Sequence, residues 1–120
     1  MIVGPRRTAS ISSRRTFDAL RASGRRGGSG PVRLRYLADD MGEGVCKVAY
    51  AIPRRTGGAV VRNRLRRRLR AAVDHVVDEM CPGAYLISPD ITAIDMDFTE
   101  LIHSLRACLT AAGATRKDRT

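Results

Sequence analysis

Apolar residues recur at helical spacing along residues 59–80 and divide this stretch into two faces. One face carries a continuous apolar stripe, made of Leu65, Leu69, Ala72, Val73, Val76, Val77 and Met80. The opposite face carries polar and basic residues, namely Asn63, Arg64, Arg66, Arg67, Arg68 and Arg70. The pattern therefore predicts an amphipathic helix that covers residues 59–77. Its last turn ends near Met80, ahead of the turn that Pro82-Gly83 indicates.

The order of charges along this helix is unusual. A helix N-terminus favours anions and its C-terminus favours cations, yet here the arginines fill the first turns and Asp74, Asp78 and Glu79 come last. This order costs stability unless an anion binds near the N-terminal end, where free backbone N–H groups and guanidinium groups would act on it together. A solvated basic face is the ordinary alternative, but the reversed polarity favours a phosphate-binding surface.

Three other stretches show strand patterns. Residues 32–37 alternate strictly, residues 45–52 carry Val48, Tyr50 and Ile52 on one side, and residues 84–88 form a short continuous apolar run. In both alternating strands one face is large and apolar, whereas the other is small or basic. The small and basic side chains are Arg33, Arg35, Lys47, Ala49 and Ala51. Because a sheet needs helices on only one face, this second face is free to form a shallow positive trough.

Two further helices complete the predicted fold. Ser13 is suited to cap a helix that runs to about Ser23, and Gly24 is suited to end it. Asp97 and Glu100 form a D-x-x-E capping box ahead of a last amphipathic helix. With a short edge strand in the glycine-rich stretch before residue 32, the predicted order is α-β-β-β-α-β-α. The sequence thus predicts an α+β sandwich of one sheet and helices.

The same patterns divide the chain into three parts. Residues 1–12 are predicted to form a flexible basic arm, residues 13–113 the folded domain, and residues 114–120 a frayed tail. The first segment is rich in arginine and serine, as transit peptides are. A helix signal begins within the same segment, however, and this favours an arm.

Composition adds a strong positive charge to this picture. The 120 residues carry a formal net charge of +10 at pH 7, and Lys47 and Lys117 are the only lysines. This balance favours nucleic acid as the partner, with an anionic membrane surface second.

No apolar run approaches membrane-spanning length. The three cysteines lack metal-binding spacing, which indicates reduced, buried thiols in a cytoplasmic protein.

Other protein classes fit the residues less well. A self-contained enzyme would need clustered catalytic or metal-binding groups, whereas His75 lies on a predicted solvated flank and His103 has no cysteine or serine partner in register. No catalytic residue and no metal site are therefore predicted. A helix-turn-helix DNA binder would need a second helix a short turn before the arginine-rich one. A ribosome-associated or general RNA-binding protein with the same sandwich fold remains as the alternative.

Residues 59–70, AVVRNRLRRRLR, together with the preceding Gly57, resemble the arginine–asparagine–arginine signature of the bacterial ribonuclease P protein component family. The similarity extends to the first helix with its phenylalanine, to the Pro-Gly before the last strand, and to the last helix. The resemblance implies a two-layer sandwich whose central sheet is mostly antiparallel. It also implies one parallel pair of strands, joined by an unusual left-handed crossover.

The resemblance also implies a function. Members of the family are basic, non-catalytic subunits of a ribonucleoprotein whose catalytic RNA removes the 5′ leader from precursor tRNA. They bind ribonuclease P RNA, one protein per RNA, and hold the leader in a cleft between the first helix and the sheet. Mg²⁺ is required by the RNA of the holoenzyme, and no cofactor is expected on the protein itself.

Carried over position by position, the resemblance assigns two groups of residues. Those expected to bind RNA are Arg54, Arg55, Arg62, Asn63, Arg64, Arg66, Arg67 and Arg70. Those expected to line the leader cleft are Phe17, Arg33, Arg35 and Ala51. By itself Phe17 fits a core anchor, but the resemblance makes it an aromatic platform for single-stranded RNA.

Three departures from the family pattern affect this cleft. Pro53-Arg54-Arg55 stands where Ser-Lys-Lys is usual, Arg35 stands where an aromatic residue is common, and Leu20 stands where a second aromatic residue of the first helix is common. Fewer aromatic rings and more guanidinium groups predict a cleft that holds the leader more by charge than by stacking.

Overall fold

The computed structural model describes residues 8–39, 42 and 44–116. This part of the chain forms five strands and three helices: β1 Ala9–Ser10, α1 Arg14–Ser23, β2 Arg25–Ser29, β3 Val32–Ala38, β4 Cys46–Tyr50, α2 Ala59–Val76, β5 Gly83–Pro89 and α3 Phe98–Ala111. Three short 3-10 turns connect them, at Arg54–Thr56, Val77–Glu79 and Ile91–Asp95. No described helix is both long and apolar enough to cross a lipid bilayer.

The strands form one sheet in the order β1-β4-β5-β3-β2. β3 pairs antiparallel with β2 and with β5, whereas β4 runs parallel to β5 and is connected to it through α2. The predicted α+β class and the predicted parallel pair are confirmed. β1 adds a second parallel pair, with β4. The sequence did not predict it, because two paired residues are too few to show an alternation.

The helices cover the two faces of the sheet unequally. α2 and α3 pack on one face, where they enclose the main core around Leu34, Tyr36 and Tyr85. α1 packs alone on the other face, where its fully buried Leu20 belongs to a small cluster with Leu86. α1 is only ten residues long, so part of this second face stays open to solvent.

Both predicted N-terminal caps are present. The Ser13 hydroxyl oxygen accepts a hydrogen bond from the Thr16 backbone N–H at 3.4 Å, and α1 ends at Gly24. The Asp97 carboxylate accepts one from the Glu100 backbone N–H at 2.8 Å. This bond lowers the pKa of Asp97. The caps therefore set where both helices begin.

The glycine-rich segment that follows α1 is a regular edge strand, β2. It pairs with β3 along its whole length, from Arg25 opposite Tyr36 to Ser29 opposite Val32. A Cβ atom at Gly27 would lie 2.1 Å from the carbonyl oxygen of Cys108 in α3. Glycine at this position thus lets β2 pack directly on the backbone of α3.

Both segments predicted to be irregular ends are partly built into the fold. Within the predicted arm, Ala9–Ser10 lie in the sheet as β1 and Ile11 is buried. Within the predicted tail, Ala114 is fully buried and Thr115 forms an isolated bridge with Met80. The rest of the arm and tail, residues 1–7 and 117–120, lies outside the described residues. These contacts are long-range, so local composition does not reveal them.

Candidate nucleic-acid interface

The first turns of α2 present unpaired positive charge to solvent. The helix begins after Gly58, which has no side chain to cap it, and its first turn contains no acidic residue. Arg64 and Arg67 are exposed, and within the described residues neither side chain forms a hydrogen bond or an ion pair. The charge predicted to attract an anion is therefore not neutralised by the carboxylates of the described chain.

Asn63 and Arg66 act as a pair on the same helix. The Arg66 Nη1 atom donates a hydrogen bond to the Asn63 side-chain oxygen at 2.9 Å. Asn63 is exposed and Arg66 is half-buried. The bond uses one of the five guanidinium donors and holds the group in a defined orientation, so the remaining donors are free to bind an anion.

Arg62 and Arg70 are each engaged in part by the fold. Arg62 lies on the line of the buried stripe, three residues before Leu65, and its Nε atom is enclosed without a hydrogen-bond partner among the described residues. The Arg70 guanidinium carbon lies 5.9 Å from the centre of the Tyr50 ring, at cation–π distance. Both side chains are half-buried, so they contribute less open surface than Arg64 and Arg67.

Arg68 does not belong to the solvent-exposed basic face on which the helical periodicity placed it. Its guanidinium group donates to the carbonyl oxygen of Ile94 at 3.3 Å and also to that of Met96. These bonds attach the turn Ile91–Asp95 and the residue after it to α2. Helical periodicity missed this role, because it does not show that a distant loop folds back onto the helix.

Arg54 and Arg55 lie in the 3-10 turn between the end of β4 and the start of α2, and both are exposed. Pro53 precedes the turn with φ of −62°, a value that proline adopts without strain. The proline that departs from the family pattern is thus accommodated. The two arginines lie between the sheet and the basic end of α2.

Small and basic residues from β2, β3 and β5, and from the position just after β4, lie side by side on the open part of the α1 face. Gly28 pairs with Arg33, and Arg33 pairs in turn with Ser88. Ala51 lies beside Ser88, because its N–H donates to the Ile87 carbonyl oxygen at 2.9 Å. We term this row of Gly28, Arg33, Ser88 and Ala51 the trough. It lies on the small-and-basic strand face that alternation predicted.

α1 forms one wall of the trough. It starts near the β4 side of the sheet, where β1 pairs with β4. It ends at β3, where the Arg35 Nη1 atom donates to the Arg21 carbonyl oxygen at 2.9 Å. Phe17 packs against the cluster of Leu20 and Leu86 and is half-buried. The wall thus offers one partly exposed aromatic ring.

The histidine considered for an enzymatic role has a packing contact in the structure. The His75 ring meets the Phe98 ring edge-on, with 5.7 Å between ring centres. No group of three His, Cys, Asp or Glu side chains among residues 8–39, 42 and 44–116 is placed to hold a metal ion. The candidate functional surfaces are the basic helix and the trough, which present arginines and small side chains to solvent.

Taken together, the fold and these surfaces define a small, basic α+β domain suited to bind a polyanion. The family model for ribonuclease P matches residues 6–113. The ribonuclease P protein component of Symbiobacterium thermophilum is 31% identical over 109 residues, which cover 90% of this chain and 94% of that protein. The chain belongs to the ribonuclease P protein family.

Two solved structures share the fold. The ribonuclease P protein of Staphylococcus aureus superposes with a TM-score of 0.77 at 16% identity, covering 89% of this chain and 97% of that one. The protein from Thermotoga maritima superposes with a TM-score of 0.71 at 18% identity, covering 81% and 91%. The fold is thus preserved at low sequence identity.

Proposed function

We propose that this chain binds the catalytic RNA of ribonuclease P through the amino-terminal half of α2 and holds the 5′ leader of precursor tRNA in the trough. An RNA partner follows from membership of the ribonuclease P protein family. The two surfaces would together place the leader relative to the RNA that cleaves it. The protein would thereby promote maturation of the tRNA 5′ end without a catalytic residue of its own.

The observation that carries this proposal is the unneutralised pair Arg64 and Arg67. Both guanidinium groups are exposed, in the second and third turns of a helix whose first turn contains no acidic residue. Arginine matches phosphate with two parallel hydrogen bonds, so a folded RNA with closely spaced phosphates is a suitable ligand. Asn63 and Arg66 would extend the same contact.

The trough supports the second half of the proposal. Its residues are small or basic, so a single strand can lie close to the backbone of the sheet. Phe17 would stack on a base of that strand, and Arg33 and Arg35 would contact its phosphates. Arg54 and Arg55 would bridge the trough to α2, since they lie between the two surfaces in the chain.

Three further features complete the proposal. We expect one protein per catalytic RNA, and we expect the complex to act in the cytoplasm. The Mg²⁺ ions needed for hydrolysis would be held by the RNA and the substrate, since phosphate oxygens are suited to Mg²⁺.

Reconstituted cleavage tests the proposal directly. The protein is added to a bacterial ribonuclease P RNA and a 5′-labelled precursor tRNA at low magnesium, where the RNA alone is slow. We expect the protein to accelerate release of the leader. The double variant Arg64→Ala/Arg67→Ala should lose most of this stimulation and bind the RNA with a salt slope lowered by about 0.7 to 0.9 for each lost contact.

A matched control removes the same charge elsewhere. Arg25 and Arg106 are exposed on β2 and α3, and Arg106 forms a surface ion pair with Glu79 at 3.1 Å. Because such a pair contributes little to stability, the double variant Arg25→Ala/Arg106→Ala should fold and retain the stimulation. If wild type stimulates none of several bacterial ribonuclease P RNAs but binds RNA in general, the alternative of a general RNA-binding protein is favoured. Equal losses in both double variants would show that net charge, not the α2 surface, governs binding.

A further inference from the structure

We infer that the trough ends on the edge strand β2 in a subsite for the sugar-phosphate backbone of single-stranded RNA. The subsite is formed by Arg26, Arg33 and Arg35 above the exposed backbone of Gly28. This inference rests on the proposed function, because the strand it would hold is the part of the leader beyond the Phe17 platform. It adds Arg26 and Gly28, which neither the sequence pattern nor the family resemblance assigned.

The first argument is the placement of like charges. Arg26 and Arg35 are direct partners in the register of β2 and β3, and Arg33 is two residues from Arg35 on the same face. Like charges directly opposite each other on adjacent strands destabilise a sheet. Within the described residues, none of the three arginines pairs with a carboxylate. A bound anion would remove this repulsion.

Arg35 adds a fixed donor group to this cluster. Its Nη1 atom is held by the Arg21 carbonyl oxygen at the end of α1. One hydrogen bond leaves the other guanidinium donors available. The position of this charge is therefore set by the fold before a ligand binds, which lowers the entropic cost of binding.

The second argument is the space between the arginines. A cavity of about 530 Å³ is lined by Arg26, Arg33 and Arg35, with Gly27, Gly28, Leu34, Ser88 and Ala111 completing it. Gly28 is exposed, and the nearest atom to a Cβ built there is the Val32 carbonyl oxygen, at 4.0 Å. The floor of the cavity at Gly28 is thus bare backbone, which a ligand can approach closely.

The chemistry of the lining favours the backbone of RNA over its bases. The cavity has no aromatic side chain on which a base could stack, whereas arginine binds phosphate in a bidentate manner. Phe17 packs on the cluster that contains Leu86 of β5, and β2 is two strand spacings from β5, about 10 Å. An RNA strand whose base stacks on Phe17 would therefore reach the three arginines only with nucleotides farther along its leader. Because the arginines contact phosphates, these nucleotides would be bound regardless of their sequence.

A series of leader lengths tests the subsite. The holoenzyme is assembled with wild type, Arg26→Ala, Gly28→Val or Arg25→Ala, and the affinity for precursor tRNA is measured as the leader is extended one nucleotide at a time. We expect wild type to gain affinity until the leader reaches β2. Arg26→Ala and Gly28→Val should lose the affinity gained with the last nucleotides, about fivefold, for leaders of any sequence, and Arg26→Ala should bind short leaders as wild type does.

The controls separate the possible causes. Arg25 is the neighbouring residue on β2 but pairs with Tyr36 on the opposite face. Arg25→Ala therefore removes the same charge and should keep the full gain in affinity with leader length. Gly28→Val leaves the charge unchanged and places a strand-favouring side chain in open space. If circular dichroism shows that Gly28→Val does not fold, the test still rests on comparing the gain in affinity of Arg26→Ala with that of Arg25→Ala.

The outcomes distinguish this inference from the proposed function. If wild type fails to stimulate cleavage, the proposed function fails, and binding of a single-stranded oligoribonucleotide to the protein alone then tests the subsite by the same variants. If wild type stimulates cleavage but Arg26→Ala keeps the affinity gained when the leader reaches β2, the inference is overturned and the proposed function stands. Loss of this gain for only some leader sequences would also overturn the inference, because that result requires contact with bases.

Discussion

The guanidinium group of Arg68 donates to the carbonyl oxygen of Ile94 at 3.3 Å, and this bond fastens the loop before α3 to α2. The adjacent Arg67 is exposed and makes no such contact among the described residues. Two neighbouring arginines of one basic helix therefore serve different purposes. One supports the fold, and the other is available to a ligand.

We expect Arg68→Ala to lower the free energy of unfolding by about 1 to 3 kcal/mol, because it leaves two carbonyl groups without their donor. Arg67→Ala should change this free energy by less than about 0.5 kcal/mol but weaken binding to ribonuclease P RNA. Urea unfolding gives the first quantity, and RNA titration of the folded variants gives the second. If Arg68→Ala weakened RNA binding as much as Arg67→Ala without losing stability, the division of roles would be wrong.

The close approach of β2 to α3 gives a prediction about glycine. Gly27→Ala would place a methyl group 2.1 Å from the Cys108 carbonyl oxygen, so backbone must move, and we expect a loss of about 1 to 3 kcal/mol in unfolding free energy. Gly28→Ala is the matched control, since space is open there. Equal stability of both variants in urea would contradict the close packing.

Much of the fold follows from local signals in the sequence. Ser13 and Asp97 were predicted as caps and accept the predicted hydrogen bonds. The alternation of residues 32–37 placed Arg33 and Arg35 on one face, which the sheet register confirms. These features were predictable, because caps and strand faces depend on residues within a few positions of one another.

The features that were missed depend on contacts between distant parts of the chain. β1 pairs with β4 through only two residues, Arg68 bonds to a loop 26 residues away, and Ala114 is buried by elements far from it in sequence. The same limit applies to the trough. Alternation gave its face, but only the register of β2 with β3 brings Arg26 opposite Arg35.

The aromatic ring of Phe17 should act on the leader and not on the catalytic RNA. We expect Phe17→Leu to weaken binding of precursor tRNA by about 1 to 3 kcal/mol, the contribution of one stacked base, with no change in affinity for ribonuclease P RNA. Affinities of the holoenzyme for precursor and for leaderless tRNA measure the effect. Phe17→Tyr keeps the ring and should bind as wild type does, and a Phe17→Leu variant that keeps its preference for the precursor would refute the platform.

The stability of the protein should fall in alkaline solution because of one buried thiol. Cys108 is fully buried, and its Sγ atom contacts the Val32 carbonyl oxygen at 3.4 Å. Burial disfavours the thiolate and raises the pKa of Cys108 from 9.0 to about 11. A raised pKa in the folded state means that folding holds the proton more tightly than the unfolded chain does. The resulting stabilisation is fully present below pH 9 and is lost as the pH rises towards 11.

Urea unfolding at a series of pH values between 8 and about 11 measures this loss. Burial also raises the pKa of the Cys46 thiol, so the decisive quantity is the difference between wild type and Cys108→Ala. The variant is less stable at pH 8, because it loses buried volume, but its unfolding free energy should fall less steeply above pH 9. Parallel curves for the two proteins would show that Cys108 has an ordinary pKa and that its burial does not control the alkaline limit of the fold.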